Sequence, residues 1–324
     1  MPATVLISEV GPRDGLQSVA ACMPLAHKLA WVTALHAAGL REIEVGSFVP
    51  AARLPQMAGT AEVVAHATTL PGLTVMALVP NLQGASAALA AGVHKLTVPV
   101  SASAAHSLAN VRKTRAQMVD ELRRIAALRD ERAPRVKLEV GLSTAFGCTL
   151  QGVVPEDEVI DLAVQVLAAG ADEVGLSDTT GMANPAQVRR LFRRLQAAVG
   201  DRAGAAHLHN TRGLGLANCL AALDVGVTSF DSSQAGLGGC PYAPGASGNV
   251  VTEDLVFLFE SMGLHTGVDL HRLVAARAVL QQGLPGEPLH GMLPEAGLPP
   301  GFVYADGRVA DPAPWRRVAD GALA

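Results

Sequence analysis

The sequence predicts a (β/α)₈ barrel, the TIM-barrel class of α/β fold, followed by a C-terminal Pro/Gly-rich extension. Short β-rich runs alternate with Ala/Leu-rich helical runs, giving eight strand–helix units in about 260 residues, the count and size of that fold. The strand runs are short and apolar and are flanked by helices, as buried parallel strands should be. A doubly wound open sheet would announce itself with a Gly-x-Gly-x-x-Gly turn after strand one. Here that strand runs into Gly11-Pro-Arg-Asp-Gly15, which has no phosphate-cradling glycine pattern.

Taken in order, the expected strands are Thr4–Val10, Glu42–Phe48, Leu73–Val79, His94–Val100, Val136–Leu142, Glu173–Ser177, Ala205–His209 and Thr228–Ser232. The expected helices are Pro24–Ala38, Leu82–Ala91, about Val111 to Asp130, Pro155–Ala169, one starting at Pro185, Leu214–Leu223 and Glu253–Met262. Pro near a helix start and Gly just past its end mark several of these boundaries, as at Pro24 and Gly39. From about Gly283 the texture becomes rich in Pro and Gly with apolar residues interleaved. This divides the chain into a barrel, residues 1–275, and an extension, residues 276–324, expected to lie on the barrel as a lid, a dimer contact or a passive wrap.

The chain is 49% hydrophobic and 17% charged, ample for a large core and too apolar for disorder. Its net charge of −4 offers no basic surface for nucleic acid. The cysteines, at 22, 148, 219 and 240, show no CxxC pairing, which reads as reduced thiols in a cytoplasmic protein. The N-terminus has no signal-peptide pattern, and apolar stretches such as Leu162–Gly170 are too short to span a bilayer. No membrane partner is expected; a homo-oligomer, a dimer, is.

Residues 231–254 organise the rest. This Gly-dense, Pro-containing stretch is a shaped loop, and a loop this long inside a compact domain usually binds something. It holds Cys240, Asn249, Glu253 and Asp254. In a barrel, polar residues at the C-terminal ends of strands point into the site. They are Glu9, Arg13 and Asp14 from strand one, Glu44 and Ser47 from strand two, and Ser143 and Thr144 from strand five. Strands six and seven add Ser177, Asp178, His207 and His209.

His207 and His209 are the sharpest pair. Residues i and i+2 of a strand share a face. Two imidazoles there, with one carboxylate and one amide oxygen, make a mixed N/O site for a divalent metal; a pair of buried, hydrogen-bonded histidines is the plainer alternative. Arg13-Asp14 is either a surface ion pair or a metal-ligating carboxylate beside a guanidinium able to hold an oxyanion. Glu44 would orient Arg13 or a ligand, and Asp178 has the same two readings. Cys240 is either a small buried apolar side chain or a thiol poised for proton transfer. The arginines at 189, 190, 193 and 194 read most simply as a solvated helix face.

With these residues in hand, the chain resembles the 3-hydroxy-3-methylglutaryl-CoA lyases within the DRE-type TIM-barrel metallolyases. The resemblance is carried by Glu9-Val-Gly-Pro-Arg-Asp-Gly-Leu-Gln17, Ile43-Glu-Val-Gly-Ser-Phe-Val49, Leu176-Ser-Asp-Thr-Thr-Gly181 and His207-Leu-His209. The longest carrying segment is Gly236-Leu-Gly-Gly-Cys-Pro-Tyr-Ala-Pro-Gly-Ala-Ser-Gly-Asn-Val-Val-Thr-Glu-Asp254.

The resemblance implies Mg²⁺ or Mn²⁺ on Asp14, His207, His209 and Asn249, and an acyl-CoA substrate cleaved to acetyl-CoA and a 3-oxo acid such as acetoacetate, a step of leucine catabolism. Arg13 would stabilise the enolate, Cys240 would protonate it, Glu44 would match the strand-two acid, Glu253 would support the loop, and Asp14 or His207 would take the hydroxyl proton. The Pro/Gly tail past Gly283 has no clear counterpart in the family, and within the barrel two segments depart from its pattern. Asn210 and Arg212 stand where Asp and Tyr are usual, and Cys148-Thr-Leu-Gln-Gly152 replaces Cys-Pro-Tyr-Glu-Gly. Both fall where the acyl end of the substrate would sit. A lyase for a different 3-hydroxyacyl-CoA is therefore the near alternative. A condensing acyl-CoA synthase of the same superfamily is a further one, disfavoured because it needs no thiol at position 240. A non-catalytic binding barrel, or a non-haem iron oxygenase built on the two-His-one-Asp set, are the remaining readings.

Overall fold

The computed structural model describes residues 3–238 and 248–311. The first half of the barrel runs β1 (Leu6–Glu9), α1 (Leu25–Ala37), β2 (Glu42–Ser47), α2 (Thr60–Ala67), β3 (Thr74–Leu78), α3 (Leu82–Ala91) and β4 (Lys95–Ser101), closing with α4 (Ala104–Val111) and α5 (Arg115–Arg132). The second half runs β5 (Lys137–Ser143), α6 (Glu156–Ala168), β6 (Glu173–Asp178), α7 (Pro185–Val199), β7 (Ala203–Leu208), α8 (Gly215–Leu223), β8 (Ser229–Ser232) and α9 (Thr252–Ser261). Helices α10 (Leu270–Gly283) and α11 (Leu293–Ala296) follow. All eight strands are parallel, and β8 pairs with β1 from Leu6↔Ser229 to Glu9↔Ser232, closing the barrel.

Three helices depart from expectation. The link between β2 and β3 contains α2, only eight residues long and preceded by Gly59 at φ +81° rather than by a capping side chain. The helix expected from about Val111 to Asp130 is α5, and a further helix, α4, precedes it. Arg112 takes a left-handed φ of 56°, and Thr114 with Gln117 forms a capping box that restarts the chain as α5. Helix α10 packs on α1, and the expected boundary at residue 275 falls inside it.

Between strands and helices the core is filled by Val, Leu and Ala, with Trp31, Phe192, Phe230 and Phe259 fully buried among them. Inside the barrel, at the pole where strands begin, Lys95 lies 3.0 Å from Glu42, 3.2 Å from Glu139 and 3.0 Å from Glu173. The strand ends at the opposite pole carry the polar residues collected from the sequence.

The described part of the extension is tied to α9 and α10. Arg277 meets Glu253 at 2.7 Å, with both side chains buried. The Asp254 carboxylate accepts from the backbone N–H groups of Met292 and Leu293 at the start of α11. The Tyr304 hydroxyl accepts from Leu270 N at 3.0 Å. Among the described residues, no helix is long and apolar enough to cross a membrane.

Candidate metal centre and active site

Arg13 and Asp14 sit on a single π-helical turn, Gly11–Gly15, directly after β1. Asp14 N bonds Val10 O at 2.7 Å and Gly15 N reaches the same oxygen at 3.4 Å, the widened spacing of a π-turn. Such turns recur at functional sites because they swing side chains out of the regular helical register. Gly238, at φ +93°, leaves no room for a side chain: a Cβ there would lie 2.8 Å from Gly15 Cα. The loop after β8 is thereby pressed against the Arg13-Asp14 turn.

That loop returns along β7. Asn249 forms an isolated antiparallel bridge with His209, and Val250 N bonds Leu208 O at 3.1 Å. His207 lies on β7, and His209 lies one residue past its end. The two imidazoles and the Asp14 carboxylate bring their ligand atoms within 4.8 Å of one another. His207 Nε2 is 3.1 Å from His209 Nε2 and 3.5 Å from Asp14 Oδ2, and His209 Nε2 is 3.8 Å from that oxygen. Asn249 Nδ2 donates to Asp14 Oδ2 at 2.6 Å.

These residues fit a divalent ion. Neighbouring ligands of an octahedral ion with bonds of about 2.1 Å stand about 3 Å apart, the spacing of the two Nε2 atoms. Asn249 Oδ1 and His209 Nδ1 are buried without a hydrogen-bond partner, a cost that a ligand at the site would relieve for the amide oxygen. The donor set, two imidazoles with carboxylate and amide oxygens and no thiolate among the described residues, suits a hard or borderline cation.

The electrostatics are those of a tightly neutralised cluster. Burial disfavours charge on Asp14, but Arg13, His207 and His209 overcome it and hold its pKa well below the usual carboxylate range. Burial likewise opposes the His207 cation, yet hydrogen bonds with Asp14 and Asp231, and their charges, lift its pKa to about 10. Arg13 stays cationic despite burial because it is clamped on two sides. Its Nε donates to Glu44 Oε2 and its Nη1 to Asp14 Oδ1, each at 2.5 Å. Glu44, raised by burial, also accepts from the Thr97 hydroxyl.

The expected residues divide accordingly. Arg13, Asp14, Glu44, His207, His209 and Asn249 converge at the mouth, while Cys240 lies outside the described residues. Glu9 does not join them. Its carboxylate accepts from Gly11 N, Gln234 N and the Thr252 hydroxyl, and burial pushes its pKa up to about 8. It fastens the loops after β1 and β8 from outside the mouth. Asp178 accepts from Met182 N and Ala183 N, shaping the β6–α7 loop, and burial raises its pKa. Thr144, at φ +57°, accepts from Ser103 N and so joins two loops. The Ser47 hydroxyl is buried without a partner.

Three contacts were not singled out from sequence: Asp231 on His207, Gln17 on Asp14 Oδ1 at 2.8 Å, and Thr97 on Glu44. Gln17 stands in a segment that carries the resemblance, and that was its only signal. Asn210 caps α8 by accepting from Gly215 N at 3.0 Å. Arg212 is held at the rim by the carbonyls of Thr180, at 3.0 Å, and Gly181, at 2.7 Å.

The HMGL-like family profile matches residues 4–280. A Pseudomonas aeruginosa 3-hydroxy-3-isohexenylglutaryl-CoA/hydroxy-methylglutaryl-CoA lyase is 43% identical over 277 residues, 85% of this chain and 91% of that one. An (R)-citramalyl-CoA lyase from Chloroflexus aurantiacus is 40% identical over 303 residues, 90% of this chain and 95% of that one. Among solved structures, a hydroxymethylglutaryl-CoA lyase from Acinetobacter baumannii in complex with coenzyme A and 3-methylmalate is similar at 38% identity. It superposes with a TM-score of 0.86, covering 92% of this chain and 97% of that one.

Proposed function

Because the chain belongs to the HMGL-like family and is an acyl-CoA carbon–carbon lyase, we propose that it cleaves 3-hydroxy-3-methylglutaryl-CoA to acetyl-CoA and acetoacetate, with Mg²⁺ or Mn²⁺ held by Asp14, His207, His209 and Asn249. The observation that carries this reading is the meeting of Asp14, His207 and His209 beside the doubly clamped Arg13 guanidinium.

When bound, the ion would act as a Lewis acid on the tertiary hydroxyl and the neighbouring carboxylate, making the hydroxyl acidic. Asp14 takes that proton, a task open to a weak base once the hydroxyl is acidified. The oxygen's electron pair then forms the carbonyl of the oxo acid as the carbon–carbon bond breaks. The bonding pair leaves on the α-carbon of the thioester as an enolate. Arg13 faces the enolate oxygen with a charge fixed in place by Glu44, so little reorganisation is needed as negative charge develops. The Cys240 thiol delivers a proton to that carbon, and the proton taken from the hydroxyl returns to the thiolate, closing the balance.

A second reading changes only the acyl group. Arg212 stands at the rim where the family pattern has Tyr, and the Chloroflexus relative is named for citramalyl-CoA. Purified protein with Mn²⁺ and a panel of 3-hydroxyacyl-CoA thioesters decides between them. Acetoacetate with acetyl-CoA supports the first reading, and a different oxo acid with acetyl-CoA supports the second. No acetyl-CoA from any thioester rejects both.

A further inference from the structure

We infer that Asp231 is a positioning residue of the metal centre, holding Nδ1 of His207 so that Nε2 alone faces the ion. The inference rests on the metal reading above and adds Asp231, which opens the 231–254 stretch but has no role among the site residues expected from the sequence.

Strand register sets the two residues side by side. β7 and β8 pair in parallel register with His207 opposite Asp231, and β8 also pairs with β1 at Ser8↔Asp231. Both strands are locked in the closed barrel. The Asp231 carboxylate lies 2.9 Å from His207 Nδ1, and neither side chain is freely exposed. An ionised carboxylate only accepts hydrogen bonds, so it keeps a proton on Nδ1, and the proton that a bound ion would displace is the one on Nε2. The lone pair then resides on Nε2, the atom near His209 Nε2 and Asp14 Oδ2. A carboxylate behind a metal-bound imidazole fixes ring orientation and raises ligand basicity.

Two consequences follow. With one nitrogen on Asp231 and the other turned to the ion, His207 has no lone pair free to act as a base, which leaves the hydroxyl proton to Asp14. The two histidines are also unequal: His209 Nδ1 is buried without a partner, so its tautomer has no comparable restraint.

The test measures Mn²⁺ binding directly, by electron paramagnetic resonance of free Mn²⁺, in the purified full chain. The variants are Asp231→Ala, which removes the acceptor, and Asp231→Asn, which keeps the shape but can turn an amide N–H toward Nδ1 and select the wrong tautomer. Both should weaken Mn²⁺ binding by about 10–100-fold. The Asp231→Asn chain should melt within a few degrees of wild type, and part of its lost turnover should return at saturating Mn²⁺. Affinity within about twofold of wild type in both variants overturns the inference while leaving the metal reading intact. A wild-type chain that binds no Mn²⁺ overturns both.

Discussion

Asn249 Nδ2 lies 2.6 Å from Asp14 Oδ2, joining residues 235 positions apart, and leaves its own Oδ1 buried without a partner. An amide at this point has one group satisfied and one in want of a cation or a donor. Asn249→Ala should therefore weaken Mn²⁺ binding by about tenfold or more, at least as much as losing an outer-shell partner. Asn249→Asp, which keeps an oxygen there, should lose less. Calorimetric titration that finds the Ala variant equal to wild type would remove Asn249 from the proposed ligand set.

Arg13 spans two carboxylates, Glu44 through Nε and Asp14 through Nη1. A lysine ammonium keeps the charge but not the planar fork, so it cannot reproduce both contacts. Arg13→Lys should lower kcat by about 10²–10³, the usual cost of losing an aligned oxyanion donor, with a smaller change in Mn²⁺ affinity. Steady-state kinetics and the same titration check this. A kcat within a few-fold of wild type would mean that charge alone suffices.

The barrel and most of its mouth were legible because they follow from local rules. Alternation along β7 put His207 and His209 on one face, and the Arg13-Asp14 pair stood directly past a strand. Glu9 misled for the same reason. Ser8 points into the barrel, bonding Met76 Sδ, so its neighbour Glu9 points outward to the loops. Asp231 was hidden because its partner is fixed by strand register across 24 positions, which no single strand's pattern reveals. Helix α2 was missed because it is short and lacks a capping side chain. Helix α4 lies ahead of the helix expected from about Val111, and Arg112 parts the two by a positive φ that its residue type does not advertise.

Arg212 is anchored by Nη1 on Thr180 O and Gly181 O at the rim near Asp178. If it helps choose the acyl group, Arg212→Tyr should raise the kcat/KM ratio of 3-hydroxy-3-methylglutaryl-CoA to citramalyl-CoA by about tenfold or more, the scale of one altered pocket contact. An unchanged ratio would assign Arg212 to loop anchoring only.

Arg277 belongs to the segment expected to form the extension, yet its guanidinium is buried on Glu253 and on His290 O. Removing one partner of a buried pair strands the other, typically costing about 3–5 kcal/mol. Arg277→Ala should destabilise the chain by that amount in urea unfolding, and truncation after residue 275 should do at least as much. A loss below about 1 kcal/mol, as for an exposed pair, would show that Glu253 finds another partner.

At the other pole, one ammonium, Lys95, faces three carboxylates, Glu42, Glu139 and Glu173. Burial, together with the charges of Asp231, Glu173 and Glu42, outweighs Lys95 and pushes the Glu139 pKa up from 4.5 to about 8. The folded state therefore keeps this proton where the unfolded chain releases it. The resulting stabilisation is full below pH 4.5 and is lost as pH rises through about 8. Glu139→Gln retains an oxygen for Lys95 and has no proton to lose. Its Tm should fall less than that of wild type between pH 5 and pH 8, with the gap widening steadily across that window. Glu42, also raised by burial, should leave a residual slope in the variant. Parallel Tm–pH curves would show that Glu139 is ionised in the folded barrel throughout, with Lys95 strong enough to hold all three charges.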